Sequence, residues 1–128
     1  MKKTLIFCII VAGIYACGTN GNETAKAENA NQTDTKDITQ DPAYAPGLEL
    51  IAKSGCLTCH KLNEASAGPS YASVAAKYPN TPEMINTLAG KIIKGGSGNW
   101  GAVPMTPHPA VSVEEAKAMV RYIMLQKK

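Results

Sequence analysis

Cys56-Leu57-Thr58-Cys59-His60 is the stretch on which the reading of this chain turns. Two thiols separated by two residues can be presented by one turn of chain to a single edge of a planar ligand, and the imidazole that follows reaches its centre. This is the attachment pattern of c-type haem, in which the thiols bond the porphyrin vinyl groups and the histidine lies under the iron. The rival readings fit less well. A disulfide between Cys56 and Cys59 would close a very small loop with awkward geometry. A thioredoxin-like redox pair expects a βαβ pattern around it. A four-ligand zinc site is hard to close where His60 directly follows Cys59.

Upstream of the motif the 128-residue chain changes character twice. Lys2 and Lys3 precede an apolar run over residues 5–16, with the small Ala16 before Cys17. A run this short does not cross roughly 30 Å of hydrocarbon, and basic-then-apolar order marks residues 1–16 as an export signal. Ile14-Tyr15-Ala16-Cys17 resembles a bacterial lipobox, in which the cysteine becomes the lipidated first residue of the mature protein. Tyr15 stands where a small residue is usual, and simple cleavage that leaves Cys17 free is the alternative. Residues 17–43 then read as a lipidated Cys17 followed by a disordered tether, because from residue 18 to 42 Ile38 is the only large aliphatic side chain. Such a segment buries too little apolar surface to offset its ordering entropy.

Residues 44–128 form the domain. They carry nine Lys or Arg against five Glu, a net charge of +4 before any cofactor. With no Arg-rich stripe and no nucleic-acid motif, a nucleic-acid partner is not expected; attraction to an acidic protein surface is. Aromatic residues make up only 5% of the chain, so a bound apolar body would help fill the interior. A monomer is expected.

Helix signals dominate the domain. A first helix is expected over residues 46–54, with Pro46 in its first turn, Leu48, Leu50 and Ile51 as its apolar side chains, and Gly55 as its stop. A second is expected over residues 70–77. Thr81-Pro82-Glu83 supplies an N-cap, a proline and an acid for a third, in which Met84, Ile85, Leu88 and Ile92 recur at helical spacing before Gly95-Gly96. Ser112 and Glu115 make a capping box for a fourth, with Ala116, Met119, Val120, Ile123 and Met124 on one side. Strand signals are nearly absent.

Residues 96–110, rich in Gly and Pro, are too long for an idle connection in so small a domain. They offer two candidates for a second axial iron ligand, Met105 and His108. Met105 is favoured, since Pro104 and Pro107 stiffen the backbone around its thioether. His108 would give a bis-His haem instead.

Several motifs together resemble the small single-haem class I cytochromes c of bacteria, of the cytochrome c-551 type. They are Gly55-Cys56-Leu57-Thr58-Cys59-His60, Ala67-Gly68-Pro69-Ser70-Tyr71, Gly98-Asn99-Trp100-Gly101 leading to Pro104-Met105, and the capped last helix ending in Arg121-Tyr122. The resemblance implies an all-α cytochrome c fold, with about four short helices wrapped around one covalently bound haem c. It implies thioether bonds at Cys56 and Cys59, with His60 and Met105 on the iron. It also implies that the Pro69 carbonyl accepts the proximal imidazole N–H, that the Trp100 indole donates to a haem propionate, and that Gly55 lets the first helix cross the last near Ile51 and Tyr122. Two positions depart from the family pattern: Lys91 stands where relatives often use Arg toward a propionate, and His108-Pro109 where an Asn is common.

The expected activity follows from coordination. Two protein ligands leave the iron no open position, so the protein is read as an outer-sphere electron carrier rather than an enzyme. It would serve the periplasm or cell envelope, held to a membrane through lipid on Cys17. Its partners would be membrane respiratory complexes, a quinol-oxidising complex as donor and a terminal oxidase or envelope reductase as acceptor. Electrons would pass at an edge near Leu57, Ala67, Ala102, Val103 and Pro104, with Lys53, Lys61 and Lys94 steering acidic partners. The alternative is a haem-based ligand sensor or peroxidase-like protein in which Met105 dissociates. The domain is not expected to fold without haem.

Overall fold

The computed structural model describes residues 37–128; the stretch read as an export signal, Cys17 and most of the stretch read as a tether lie outside the described residues. Four helices run in the order α1 (Tyr44–Lys53), α2 (Tyr71–Lys77), α3 (Pro82–Lys94) and α4 (Val113–Leu125). Between α3 and α4 stands an antiparallel hairpin of β1 (Gly96–Gly98) and β2 (Gly101–Met105), with Gly96 opposite Met105 and Gly98 opposite Gly101.

Helix α4 is the centre of the core, and each of the other three helices packs against it. Its residues Ala116, Met119, Val120 and Ile123 recur at helical spacing and are buried, together with Tyr122 and Met124. Ile51 of α1 and Ala89 and Ile92 of α3 complete the buried cluster. Burying each large side chain of this kind contributes about 2 kcal/mol.

The helix ends follow the sequence signals. The Thr81 hydroxyl accepts from the Met84 N–H at 3.3 Å, with Pro82 at the first helical position. In α4 the Ser112 hydroxyl accepts from the Glu115 N–H at 3.3 Å while the Glu115 carboxylate accepts from the Ser112 N–H at 2.9 Å. The Ser112 hydroxyl, which also donates to the Glu115 carboxylate at 2.7 Å, and then the Ser112 N–H hold that carboxyl below its ordinary value.

Four expectations are corrected. Helix α1 begins at Tyr44 rather than at residue 46, so Pro46 sits within its first turn, where its missing N–H costs nothing. Ile38–Gln40, inside the stretch read as tether, form a 3-10 turn capped by the Asp37 carboxylate. The loop after α3 contains a strand pair, which its Gly and Pro content concealed. Finally, the residue that lets α1 cross α4 is Gly47 and not Gly55. A Cβ on Gly47 would collide with the Tyr122 Cβ and lie 2.8 Å from the Ala118 carbonyl oxygen. Gly55 touches nothing on that side and instead takes a left-handed turn, φ 71°, between α1 and the Cys56 turn.

A candidate haem-binding site

Gly55 reverses the chain so that Cys56–Thr58 form one 3-10 turn, and the His60 N–H closes it by donating to the Cys56 carbonyl at 3.0 Å. Cys56 is half-buried and Cys59 exposed, both as free thiols. Burial pushes the Cys56 thiol up. The next loop is tied down by its own backbone. Gly68 donates to the Cys59 carbonyl at 2.9 Å, and Tyr71 and Ala72 donate to Lys61 and Leu62 at 3.0 Å each.

Those ties fix the imidazole of His60. Its Nδ1 lies 2.7 Å from the Pro69 carbonyl oxygen. A carbonyl only accepts, so Nδ1 carries the proton and Nε2 keeps its lone pair. The Tyr71 ring stacks on the imidazole at 5.6 Å between centroids and 17° between planes. A Cβ on Gly68 would stand 2.5 Å from the His60 Cε1, so no side chain fits there.

On the other side, Gly95 ends α3 and starts the hairpin that carries Met105. A Cβ on Gly95 would meet the Met105 carbonyl and lie 2.9 Å from the Pro107 nitrogen. Just beyond, the His108 N–H donates to the carbonyls of Ile92 and Ile93 at 3.1 and 3.2 Å, pinning the chain after Met105 to α3.

All seven expected site residues in the domain, Cys56, Cys59, His60, Pro69, Lys91, Trp100 and Met105, line one open cavity of about 630 Å³. His108 lines it too. Its remaining walls are largely apolar, from Val74, Leu88, Ile92, Met119, Val120 and Ile123 among others. The Tyr71 hydroxyl is buried with no hydrogen-bond partner among the described residues, and burial pushes it above its ordinary value.

The donor set suits haem. It comprises two thiols for the vinyl groups, an imidazole with a free Nε2, and a thioether, with an indole and an ammonium at hand for the carboxylates. No group of three or more His, Cys, Asp or Glu side chains among the described residues could hold a metal ion by itself.

Comparison with known proteins decides the family. Residues 44–127 match the family model "Cytochrome c". The chain belongs to the cytochrome c family. It is 44% identical over 81 residues to cytochrome c-551 of Azotobacter vinelandii, an alignment covering 63% of this chain and 98% of that one. With cytochrome c-552 of Hydrogenobacter thermophilus it shares 46% identity over 76 residues, 59% of this chain and 76% of the relative. The crystal structure of wild-type Nitrosomonas europaea cytochrome c552 superposes with a TM-score of 0.59 at 39% identity, covering 62% of this chain and 99% of that one. As a cytochrome c, the protein carries covalent haem c with its iron and is an electron-transfer protein that exchanges electrons with redox partners.

Four parts of the site were not found from the sequence: Gly68 against the imidazole, Tyr71 stacked on it, Gly95 under Met105, and Lys77 against Trp100. Each is a contact in space. The nearest sequence signals were Gly68 and Tyr71, which share one motif but had no role there, and Gly95, read only as a helix stop.

Proposed function

We propose that the protein shuttles single electrons between membrane respiratory complexes of the bacterial cell envelope through a six-coordinate haem c, held by thioethers at Cys56 and Cys59 with His60 and Met105 on the iron. The observation that carries this reading is the convergence of both thiols, the oriented imidazole and the thioether on one apolar cavity. When bound, haem c supplies the iron that accepts and returns one electron.

The chain's part is to hold the ligands still and keep water away. Pro69 keeps Nδ1 protonated and so leaves Nε2 to the metal; hydrogen bonding to a ligating imidazole raises its basicity. Pro104 and the Gly95 turn set the height of the Met105 sulfur. A ligand pair that changes little between oxidation states suits rapid outer-sphere transfer, and His/Met ligation raises the potential. Trp100 and Lys91 are assigned to the propionates. Lys91 has a point charge rather than a guanidinium fork, so its pairing is less directional than an Arg would give.

Electrons pass at the rim formed by Leu57, Ala67, Ala102, Val103 and Pro104, all exposed. Lys53, Lys61 and Lys94 are exposed as well and steer acidic partners. Residues 1–16 direct export, and lipid on Cys17 holds the domain to a membrane.

Haem retained through denaturing electrophoresis, together with the weak red charge-transfer band of methionine–iron bonding in the oxidised protein, is the expected result. Met105→Ala should abolish the band and leave the haem attached. Covalent haem without the band in the unaltered protein would move the ligand to His108 or leave the iron open, favouring a ligand sensor. No covalent haem would sink the reading. A rate of electron exchange with its partner that does not fall with added salt would remove the steering role.

A further inference from the structure

Helix α2 reaches from one side of the cavity to the other. At its start Tyr71 stacks on His60. At its end, Lys77 and the C-cap Tyr78 meet the tip of the hairpin between α3 and α4. The Lys77 Nζ donates to the Asn99 carbonyl at 2.8 Å and lies 4.2 Å from the centroid of the Trp100 ring. Tyr78 meets the same ring edge-on at 6.2 Å. Within the polypeptide these two contacts hold the indole.

The tip itself is weakly determined. Gly98 and Gly101 flank Asn99 and Trp100, both with positive φ, 102° and 111°, and nothing crowds either of them. The Gly96 to Gly98 segment is irregular in its pairing. A strand pair this short and this rich in glycine does not hold its own shape in water.

We propose that Lys77 is a positioning residue that latches the hairpin tip to α2 and fixes the Trp100 indole. One ammonium does both tasks, as a hydrogen-bond donor to the backbone and as a cation over the ring. The further step, that the fixed indole is thereby aimed at a propionate, rests on the haem reading above.

The test compares Lys77→Met and Lys77→Arg with a distant charge control, Lys127→Met, as isotope-labelled ferrous holoprotein. The readouts are amide hydrogen exchange across residues 96–105 and the indole N–H resonance of Trp100. A charge-assisted hydrogen bond plus a cation–π contact predicts hairpin exchange faster by about tenfold in Lys77→Met. The indole resonance should also shift, while the Gly68 and Tyr71 amides keep their protection. Arg keeps a donor and a stacking cation in a different shape, so Lys77→Arg should recover most of the protection that Lys77→Met loses, and Lys127→Met should match wild type. A Lys77→Met protein with unchanged hairpin exchange and indole resonance would overturn the proposal. So would acceleration spread equally over Gly68 and Tyr71, which would mean general destabilisation. Failure of the haem reading is recorded separately, as absent covalent haem in the unaltered protein; exchange then reports on the latch alone.

Discussion

On the His60 side of the cavity the chain is tied to itself at short intervals: Gly68 to Cys59, Tyr71 to Lys61, Ala72 to Leu62, and the imidazole to Pro69. On the Met105 side a glycine-rich hairpin lines the cavity, held at its base by the His108 N–H on α3 and at its tip by Lys77. Two sides that must grip one planar group are thus built to different standards. The difference follows from what each ligand needs. An imidazole must present one particular nitrogen, so its proton and ring plane are both fixed. A thioether sulfur has no proton to place, and a flexible methionine tolerates a looser mount. With the ligation proposed above, the unequal construction makes Met105 the ligand that yields first under stress.

Several variants would sharpen or break that contrast. The largest effect is expected from Cys56→Ala with Cys59→Ala. Without covalent haem the apolar side chains around the cavity face water, and the domain should lose cooperative thermal melting by circular dichroism. A sharp melt in that variant would mean that the helices around α4 suffice by themselves. Next comes a pair of glycine substitutions, one for each side. Gly68→Ala drives a methyl group into an imidazole that Pro69 and Tyr71 prevent from moving aside, and should cost about 2–3 kcal/mol in denaturant unfolding. Gly95→Ala meets the Met105 carbonyl at a φ of 67°. The hairpin can give way there, so the red band should disappear while most of the helical signal stays. If the two variants behave alike, the two sides are equally stiff.

Tyr71→Phe should be smaller still. It keeps the ring stacked on His60 and removes a buried hydroxyl without a partner, so stability should be unchanged or higher by about 1 kcal/mol. A clear loss would show that the hydroxyl has found a partner on the bound haem or a buried water. The smallest effect concerns the α4 capping box, whose Ser112 and Glu115 do not line the cavity. Its hydrogen bonds lower the Glu115 pKa in the folded state. That contribution is present above the unfolded carboxyl pKa and is lost as the pH falls through the lowered folded value. Ser112→Ala should therefore flatten the acid limb of a stability-against-pH curve and leave the neutral region nearly parallel to wild type.

Much of this was legible in the chain because the relevant signals are local. The Cys56 to His60 run, the caps at Thr81 and Ser112, the apolar spacing of α4 and the Pro-flanked Met105 are each contained within a few residues. The hairpin was not, since Gly96 to Met105 has neither the alternation nor the β-branched content of a strand and is held by its neighbours. Gly47 was overlooked for a related reason. A glycine inside a helix, three residues after Tyr44 and four before Ile51 on the same face, signals close packing, but only the partner helix shows how close. The latch of Lys77 on Trp100 joins residues 23 apart in sequence and leaves no trace in either stretch alone.

The central claim is tested most directly by a guanidinium titration of the oxidised holoprotein followed by two probes at once, the red methionine–iron band and the far-ultraviolet helical signal. The band should fade at clearly lower denaturant than the helices, with haem still bonded and His60 still on the iron. Coincident loss of band and helix would contradict it, showing that the Met105 side is as firmly built as the His60 side.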